Sequence, residues 1–302
     1  MTLQQLKYVI MVANKNSISE AAKSLFISQP SLTNAIKEIE KELGMTLFNR
    51  SNKGISLSTD GVEFLGYARQ VVEQMDLLEE KYFTGKLPKQ HFSVSTQHYS
   101  FAVNAFVELI ELYGQEDYNL TLRETRTYEI IEDVKLLKSE IGILYLNEFN
   151  QKVLTKLIKE SGLIFKELFT AKPHVFISKR HPLAGENTIT LEALAQYPYL
   201  CFEQGEYNSF YFSEEILSTI EHRKCIHVSD RATLFNLLIG LNGYTICTGI
   251  ISEELNGPDI IAKPLEVDEM ICIGTITQKD MALSKLGTIY MEALKRYTSG
   301  LL

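Results

Sequence analysis

The stretch from Ser17 to Gly44, "SISEAAKSLFISQPSLTNAIKEIEKELG", puts two helix-forming runs around a very short break, and this constrains the fold more than any other feature. In the first run Ala21, Ala22 and Leu25 are small or apolar, and Ser19 is placed to cap it. In the second, Ser28 can serve as cap with Pro30 tolerated in the first turn. Leu32, Ile36, Ile39 and Leu43 then repeat at helical steps until Gly44 ends the run. Small alanines let the second helix cross the first closely, which is the packing a helix-turn-helix requires. Upstream, Leu3, Leu6, Val9, Ile10 and Ala13 form the apolar stripe of one more amphipathic helix.

The outward side of the third helix shows Gln29, Ser31, Thr33, Asn34 and Lys37 near its N-terminus, the end that enters a major groove and whose dipole favours phosphate. After it, "LFNRSNKGISLS" reads as a hairpin: Leu47 and Phe48 face inward, Asn52-Lys53-Gly54 supplies the turn, and Arg50 and Lys53 are placed to reach phosphates. The whole chain is acidic, with a net charge of -8, but the acid is elsewhere. Residues 1–60 hold seven Lys or Arg against five acids, while the remaining 242 hold 23 against 33. Beyond a Debye length of about 8 Å the acidic bulk is screened from a DNA-facing patch. The plainer alternative is a three-helix bundle with a polar surface, but the ordered combination of short helix, tight turn, capped polar helix and basic hairpin favours DNA.

These sixty residues closely resemble the winged helix-turn-helix of the LysR-type transcriptional regulators. The features that carry the resemblance are "AA" in helix two, "SQPSLT" opening the recognition helix, "IKEIEKELG" closing it, "LFNR" entering the wing and "LSTDG" leaving it. The resemblance implies groove or phosphate contacts at Gln29, Pro30, Ser31, Thr33 and Asn34, and backbone contacts at Lys37, Arg50 and Lys53. Many members carry a basic residue where Asn34 stands, so its amide is a candidate for reading a base instead.

From Asp60 to Phe83 the chain reads as one helix, about 36 Å long at 1.5 Å per residue. Leu65, Ala68, Val72, Met75 and Tyr82, supplemented by Leu78, form a seam for another helix and predict a dimer. The resemblance makes this the linker helix that pairs antiparallel with its partner's, so that two recognition helices meet two half-sites of a near-palindrome. "TGKLPKQH" supplies the hinge that follows. The domains expected are a winged helix-turn-helix over 1–59, a linker over 60–88 and an effector-binding domain over 89–302.

Beyond His91 strands alternate with helices, which argues for parallel α/β sheets. Breaks at "LFTAKPHVF" and "PLEVDEMICI" suggest two lobes: 89–168 with 268–302, and 169–267 inserted between them. This resembles the effector-binding domain of the same family, built like a periplasmic solute-binding protein. Ligands in such sheets sit beyond the carboxyl ends of strands, where helix N-termini converge. That places Thr96, His98, Tyr99, Ser100, Thr127, Gln204 and Thr233 as effector contacts, with Arg126 and Arg231 as counter-ions, in what reads as a small-anion site. Ser and Thr at these positions also have the plainer use of capping helices. "STQHYSF" and "SDRATL" look similar to a branch of the family tied to cysteine and sulfur metabolism in Gram-positive bacteria, which implies a small amino-acid-derived effector such as O-acetylserine.

Other classes find little support. No run of 18 apolar residues and no secretory signal is visible, so the expected location is cytoplasmic and no membrane partner is expected. No nucleotide-binding loop, G-x-S-x-G or H-E-x-x-H motif is present, so neither an enzyme nor a cofactor is expected. "HRKCIH" brings His222, Cys225 and His227 close in sequence, but no fourth zinc ligand is spaced to join them, and the reading favoured is a strand with one buried thiol and surface histidines. The four cysteines form no C-x-x-C pair and suit free thiols. The reading is therefore a dimeric or tetrameric DNA-binding regulator controlled by a small effector, with RNA polymerase as a further candidate partner. The competing reading is a cytosolic solute-binding protein whose N-terminal domain serves assembly only.

Overall fold

The computed structural model describes residues 1–51, 54–83, 90–113, 117–207 and 209–298. The chain divides into two compact units, Met1–Gln90 and His91–Leu302.

The first unit opens with α1 (Leu3–Lys15), α2 (Ile18–Ser24) and α3 (Gln29–Leu43). Ser17, not Ser19, caps α2: its hydroxyl accepts the Glu20 N–H, so the helix begins earlier than the pattern suggests. Ser28 caps α3, with proline in the first turn, and Gly44 closes it in the left-handed conformation at φ 69°. Ala21, Ala22, Leu32, Ile36 and Ile39 are all buried where α1, α2 and α3 meet. Filling that crossing with Ala21→Leu is expected to cost about 1–3 kcal/mol, read as a lower unfolding midpoint of the full chain, because the helices cannot separate without losing the turn.

The wing is an antiparallel pair, β1 (Phe48–Ser51) with β2 (Gly54–Leu57), in which Phe48 opposes Leu57. Glu40, late in α3, fixes its start: one carboxylate oxygen accepts the N–H groups of Leu47 at 2.8 Å and Phe48 at 3.1 Å. Next comes α4 (Thr59–Phe83), capped by Ser58, whose hydroxyl accepts the Gly61 N–H at 2.9 Å.

The expected partner-facing seam of α4 is corrected at Leu65 and Ala68. Leu65 and Ala68 are buried within the unit, where α4 lies along α1 and Lys7 meets Asp76 at 3.3 Å. The exposed apolar stripe runs through Tyr67 and Val71 and on through Leu78 and Tyr82 of the expected seam, the last 70% exposed. Their spacing of four, seven and four keeps them on one side of the helix. Sequence spacing shows two overlapping stripes, and only the position of α1 decides which is covered.

The second unit contains, in order, β3 (Gln90–Thr96), α5 (Ser100–Tyr113), β4 (Tyr118–Glu124), α6 (Thr127–Lys135), β5 (Ile141–Leu146), α7 (Gln151–Glu160), β6 (Leu163–Ala171) and β7 (His174–Ser178). It continues with α8 (Leu191–Leu194), β8 (Tyr199–Phe202), β9 (Cys225–Val228), α9 (Arg231–Leu241), β10 (Thr245–Cys247), α10 (Glu253–Asn256), β11 (Ile260–Pro264), β12 (Ile271–Gln278) and α11 (Lys285–Thr298). A five-stranded sheet has the order β4-β3-β5-β12-β6, a three-stranded one β10-β7-β11, and β8 pairs β9.

The sheets are mixed, parallel in part as expected and antiparallel elsewhere. Strands β3–β5 and β8–β9 are parallel, while β12 runs antiparallel to both β5 and β6, and β7 antiparallel to β10 and β11. The chain leaves the larger sheet along β6 and returns beside it along β12, so the two must run in opposite directions. Strand β6 runs into the stretch "LFTAKPHVF" that the sequence reads as a break. It forms the sheet edge and alternates poorly, with Lys166 and Glu167 interrupting its apolar residues. Phe101, Leu109, Ile143, Ile273 and Tyr290 belong to the main core of this unit. Among the described residues no helix is long and apolar enough to cross a membrane.

Candidate functional site

Two surfaces carry the polar chemistry, one in each unit. On α3, burying Leu32, Ile36 and Ile39 turns Gln29, Pro30, Ser31, Asn34 and Lys37 to solvent and leaves Thr33 half-buried. Ser31 is already engaged in the cap: its N–H reaches Ser28 Oγ at 3.2 Å and the two hydroxyls lie 2.7 Å apart. Gln29, Asn34 and Lys37 therefore offer the longest polar reach from this face. The Arg50 side chain and all of Lys53 lie outside the described residues. In the turn before the α3 cap, Phe26 stands 96% exposed at φ 54°.

In the second unit, a pocket of about 650 Å³, counted out to its open mouth, lies between the larger sheet and the segment carrying β7 to β10. His98, Tyr99 and Ser100 enter it from the end of β3 and the start of α5, and Arg231 from the first turn of α9. Opposite them are Phe202, Glu214, Glu215, Thr245 and Thr248. His98 is the centre of the polar network. Its Nδ1 and its backbone N–H both meet Glu214 Oε2, at 2.9 and 3.1 Å, and its ring stacks on Phe202 at 3.7 Å between centroids. Burial works against a charged His98, but the Glu214 carboxylate outweighs it and holds the imidazole above its ordinary value.

Glu215 is buried and accepts the Phe202 N–H at 3.0 Å. Burial, reinforced by the neighbouring Glu214 charge, pushes its carboxyl well above the usual range. Arg231 Nη2 lies 2.8 Å from Glu124 Oε1, but the approach is not aligned as a hydrogen bond. Arg231 Nη1 is buried with no hydrogen-bond partner among the described residues. Burial, only partly opposed by Arg231, also raises Glu124.

The residues picked out in the sequence separate into three groups. His98, Tyr99, Ser100 and Arg231 line the pocket together. Thr96, Thr127 and Gln204 are buried behind it in a connected set: Thr96 Oγ1 donates to the Gln97 carbonyl, Gln97 Nε2 donates to Thr127 Oγ1, and the Thr127 N–H donates to Gln204 Oε1. Gln204 Nε2 then approaches Glu214 at 3.4 Å, so this set supports the pocket wall from behind. Arg126 sits in a surface depression on the other side of His98 and Phe202, which line both, and is paired with Glu203 at 2.5 Å and Glu129 at 3.3 Å, while Thr233 hydrogen-bonds Asp230 at the start of α9. Glu214 and Glu215 escaped the sequence reading because they follow no strand end. The segment carrying them has only short 3-10 turns at Gly205–Tyr207 and Phe210–Phe212.

The proton balance here gives a measurable slope. Because the folded value of Glu215 lies above its unfolded one, the native state keeps this proton longer, so its contribution to stability falls as pH rises above about 4.5. His98 acts in the same sense above about 6.5, since its folded value is also raised. The midpoint of Glu215→Gln relative to the unsubstituted chain is expected to climb as pH is raised from about 5 to about 8, in thermal melts at constant ionic strength. A difference independent of pH would show that Glu215 is ionised in the fold.

Comparison with known proteins gives each unit a family match. Residues 3–62 match the bacterial regulatory helix-turn-helix protein, lysR family, and residues 93–298 match the LysR substrate binding domain. The chain belongs to the LysR family of transcriptional regulators. Among its relatives, the uncharacterised HTH-type transcriptional regulator YybE of Bacillus subtilis is 26% identical over 68% of each chain. The uncharacterised HTH-type regulator YbhD of Escherichia coli is 25% identical over 93% of this chain and 87% of that one. The chain spans about two thirds of the length of the curated relatives it first matches. A full-length OxyR variant from Pseudomonas aeruginosa shares the fold with a TM-score of 0.61, at 18% identity over 98% of this chain and 95% of that one.

Proposed function

We propose that this LysR-family protein reads a near-palindromic DNA site through α3 and changes its grip when a small zwitterionic effector fills the His98–Arg231 pocket. The observation that carries the DNA half is the division of α3 into a buried apolar side and an exposed face of Gln29, Pro30, Ser31, Asn34 and Lys37, in a domain matched to the regulatory helix-turn-helix. Gln29 and Asn34 are placed to read base edges, Thr33 and Ser31 to support them, and Lys37, Arg50 and Lys53 to hold phosphates. In this reading residues 1–59 bind DNA, 60–88 join two protomers through the exposed α4 stripe, and 89–302 sense the effector. The protein acts in the cytoplasm as a dimer or tetramer, without enzymatic activity, and RNA polymerase is a further partner.

The charges in the pocket select between effector classes. The Glu214 carboxylate opposes a plain anion, whereas the unpartnered Nη1 of Arg231 calls for an acceptor. A molecule with both a carboxylate and an amine satisfies both, as an amino-acid-derived effector of the O-acetylserine kind would. His98, Tyr99 and Ser100 would contact it directly, with Thr96, Thr127 and Gln204 holding the wall. Arg126 and Thr233 stand further out.

Salt-dependent binding to a palindromic duplex recovered from the DNA that co-purifies with the protein tests this reading, and absence of binding at low salt would return the chain to a solute-binding role. Gln29→Ala is expected to lose about 1–3 kcal/mol on that duplex and little on random DNA, measured by fluorescence anisotropy. Equal losses on both would show that Gln29 grips only phosphate.

A further inference from the structure

We propose that Cys201, Cys225 and His227 form a binding site for a thiophilic cation of the zinc class on the β8–β9 ribbon, apart from the effector pocket. The parallel register sets Cys201 directly opposite His227, and Cys225 lies two residues before His227 on the same face. The three side chains converge: Cys201 Sγ lies 3.6 Å from Cys225 Sγ and 3.3 Å from His227 Nδ1, and Cys225 Sγ lies 3.8 Å from His227 Nε2. One ligand atom from each falls within 4.8 Å of the others.

A tetrahedral zinc ion with Zn–S of about 2.3 Å and Zn–N of about 2.0–2.1 Å has sulfur–sulfur edges near ~3.7 Å and sulfur–nitrogen edges near ~3.5 Å. The sulfur–sulfur spacing matches its edge, and each sulfur has an imidazole nitrogen within a few tenths of an ångström of the other edge, Nδ1 for Cys201 and Nε2 for Cys225, so a turn of the imidazole that presents one nitrogen to both sulfurs completes three corners. A disulfide, by contrast, needs the sulfurs brought to about 2.05 Å. Thiolate and imidazole together select a d10 ion over magnesium or calcium. Cys201 forms the buried floor while Cys225 and His227 are exposed, which leaves the fourth corner to solvent.

The spacing in "HRKCIH" points to His222 as the third ligand, but His222 stacks on Tyr199 at 3.9 Å and meets the Tyr244 hydroxyl at 3.1 Å. Cys201, 24 residues before Cys225, takes its place through strand pairing. An ion here clamps a ladder of four residue pairs whose strands lead to Phe202 and, past β9, to Arg231. Its influence on the pocket rests on the effector reading above; the binding site itself does not.

The test is titration of the reduced, tag-free full chain with Cd²⁺ as a spectroscopic surrogate, followed by competition with Zn²⁺. The expected result is one Cd²⁺ per chain with a thiolate-to-cadmium charge-transfer band, displaced by Zn²⁺, and a higher thermal midpoint in the metal-bound protein. Cys225→Ser and His227→Gln, both at exposed positions, are each expected to weaken binding at least tenfold and to abolish the midpoint rise. Unchanged affinity in both variants, or no uptake by the reduced protein, overturns the proposal. So does a Cys201–Cys225 disulfide that forms in air while the reduced protein ignores Cd²⁺. Effector and DNA binding that respond normally in a protein without metal uptake would remove this site and leave the proposed function standing.

Discussion

Gly61→Ala is expected to destabilise the DNA-binding unit by on the order of 3 kcal/mol, lowering its thermal midpoint by roughly 10–20 °C and abolishing duplex binding. A Cβ at this position would stand 2.1 Å from the Leu47 carbonyl oxygen and 2.9 Å from the carbonyl carbon, both backbone atoms that cannot swing aside. The same carbonyl accepts the Ser58 N–H at 2.9 Å, so the first turn of α4 is seated directly on the residue that opens the wing. Leu47 is itself fully buried and its N–H is held by Glu40, which leaves α4 to move. Displacing α4 also uncovers Leu65 and Ala68. Gly44→Ala is the informative control. It has open space around it and pays only for a left-handed residue at φ 69°, about 1 kcal/mol. Similar losses in the two variants, read by calorimetry of the full chain, would show that the close approach to Leu47 does not matter.

Glu214→Ala is expected to cost the second unit about 3–5 kcal/mol, because it leaves the buried His98 ring and the His98 backbone N–H without their acceptor. The side chains of His98 and Glu214 are each only 5% exposed, so water cannot take over the lost contacts without opening the pocket. The His98 titration, followed by NMR, should drop in this variant, since burial then acts without the carboxylate that overrides it. Combining Glu214→Ala with His98→Phe should recover part of the stability, as the new ring can keep the stack on Phe202 and has no charge to satisfy. Denaturant midpoints of the single and double variants form the cycle that measures the pair. Losses that simply add would show that His98 and Glu214 are not coupled.

Much of the DNA-facing unit was legible in the sequence, because its signals are local. Ser28, Pro30 and Gly44 mark the ends of α3 through their own backbone preferences, and the steps from Leu32 to Ile39 name its buried side. The misplaced cap at Ser19 shows the limit of that logic. Ser17 and Ser19 are both good caps, and the choice follows from how much of α2 must lie against α1 and α3. Strand β6 failed for a related reason: an edge strand with charges in it has no distinctive pattern, and it is a strand because β12 pairs with it over eight residues.

The pocket around His98 was half legible. His98, Tyr99, Ser100 and Arg231 stand where a strand end meets a helix start, a position that sequence pattern reveals. Their acidic partner Glu214 comes from 116 residues further along the chain than His98, on a segment with little regular structure.

By itself, then, the sequence determined what depends on neighbours a few residues away: the helix-turn-helix, the wing, the long α4 and the alternation of strands and helices in most of the second unit. Capping, periodicity and turn chemistry act over single turns of chain, so they are written in short words. The tertiary structure alone decided which stripe of α4 is covered, that the returning β12 makes the sheet mixed, that Glu214 neutralises His98, and that Cys201 rather than His222 joins Cys225 and His227. Each of these is a pairing between distant segments, fixed by which surfaces must be buried together rather than by any local preference.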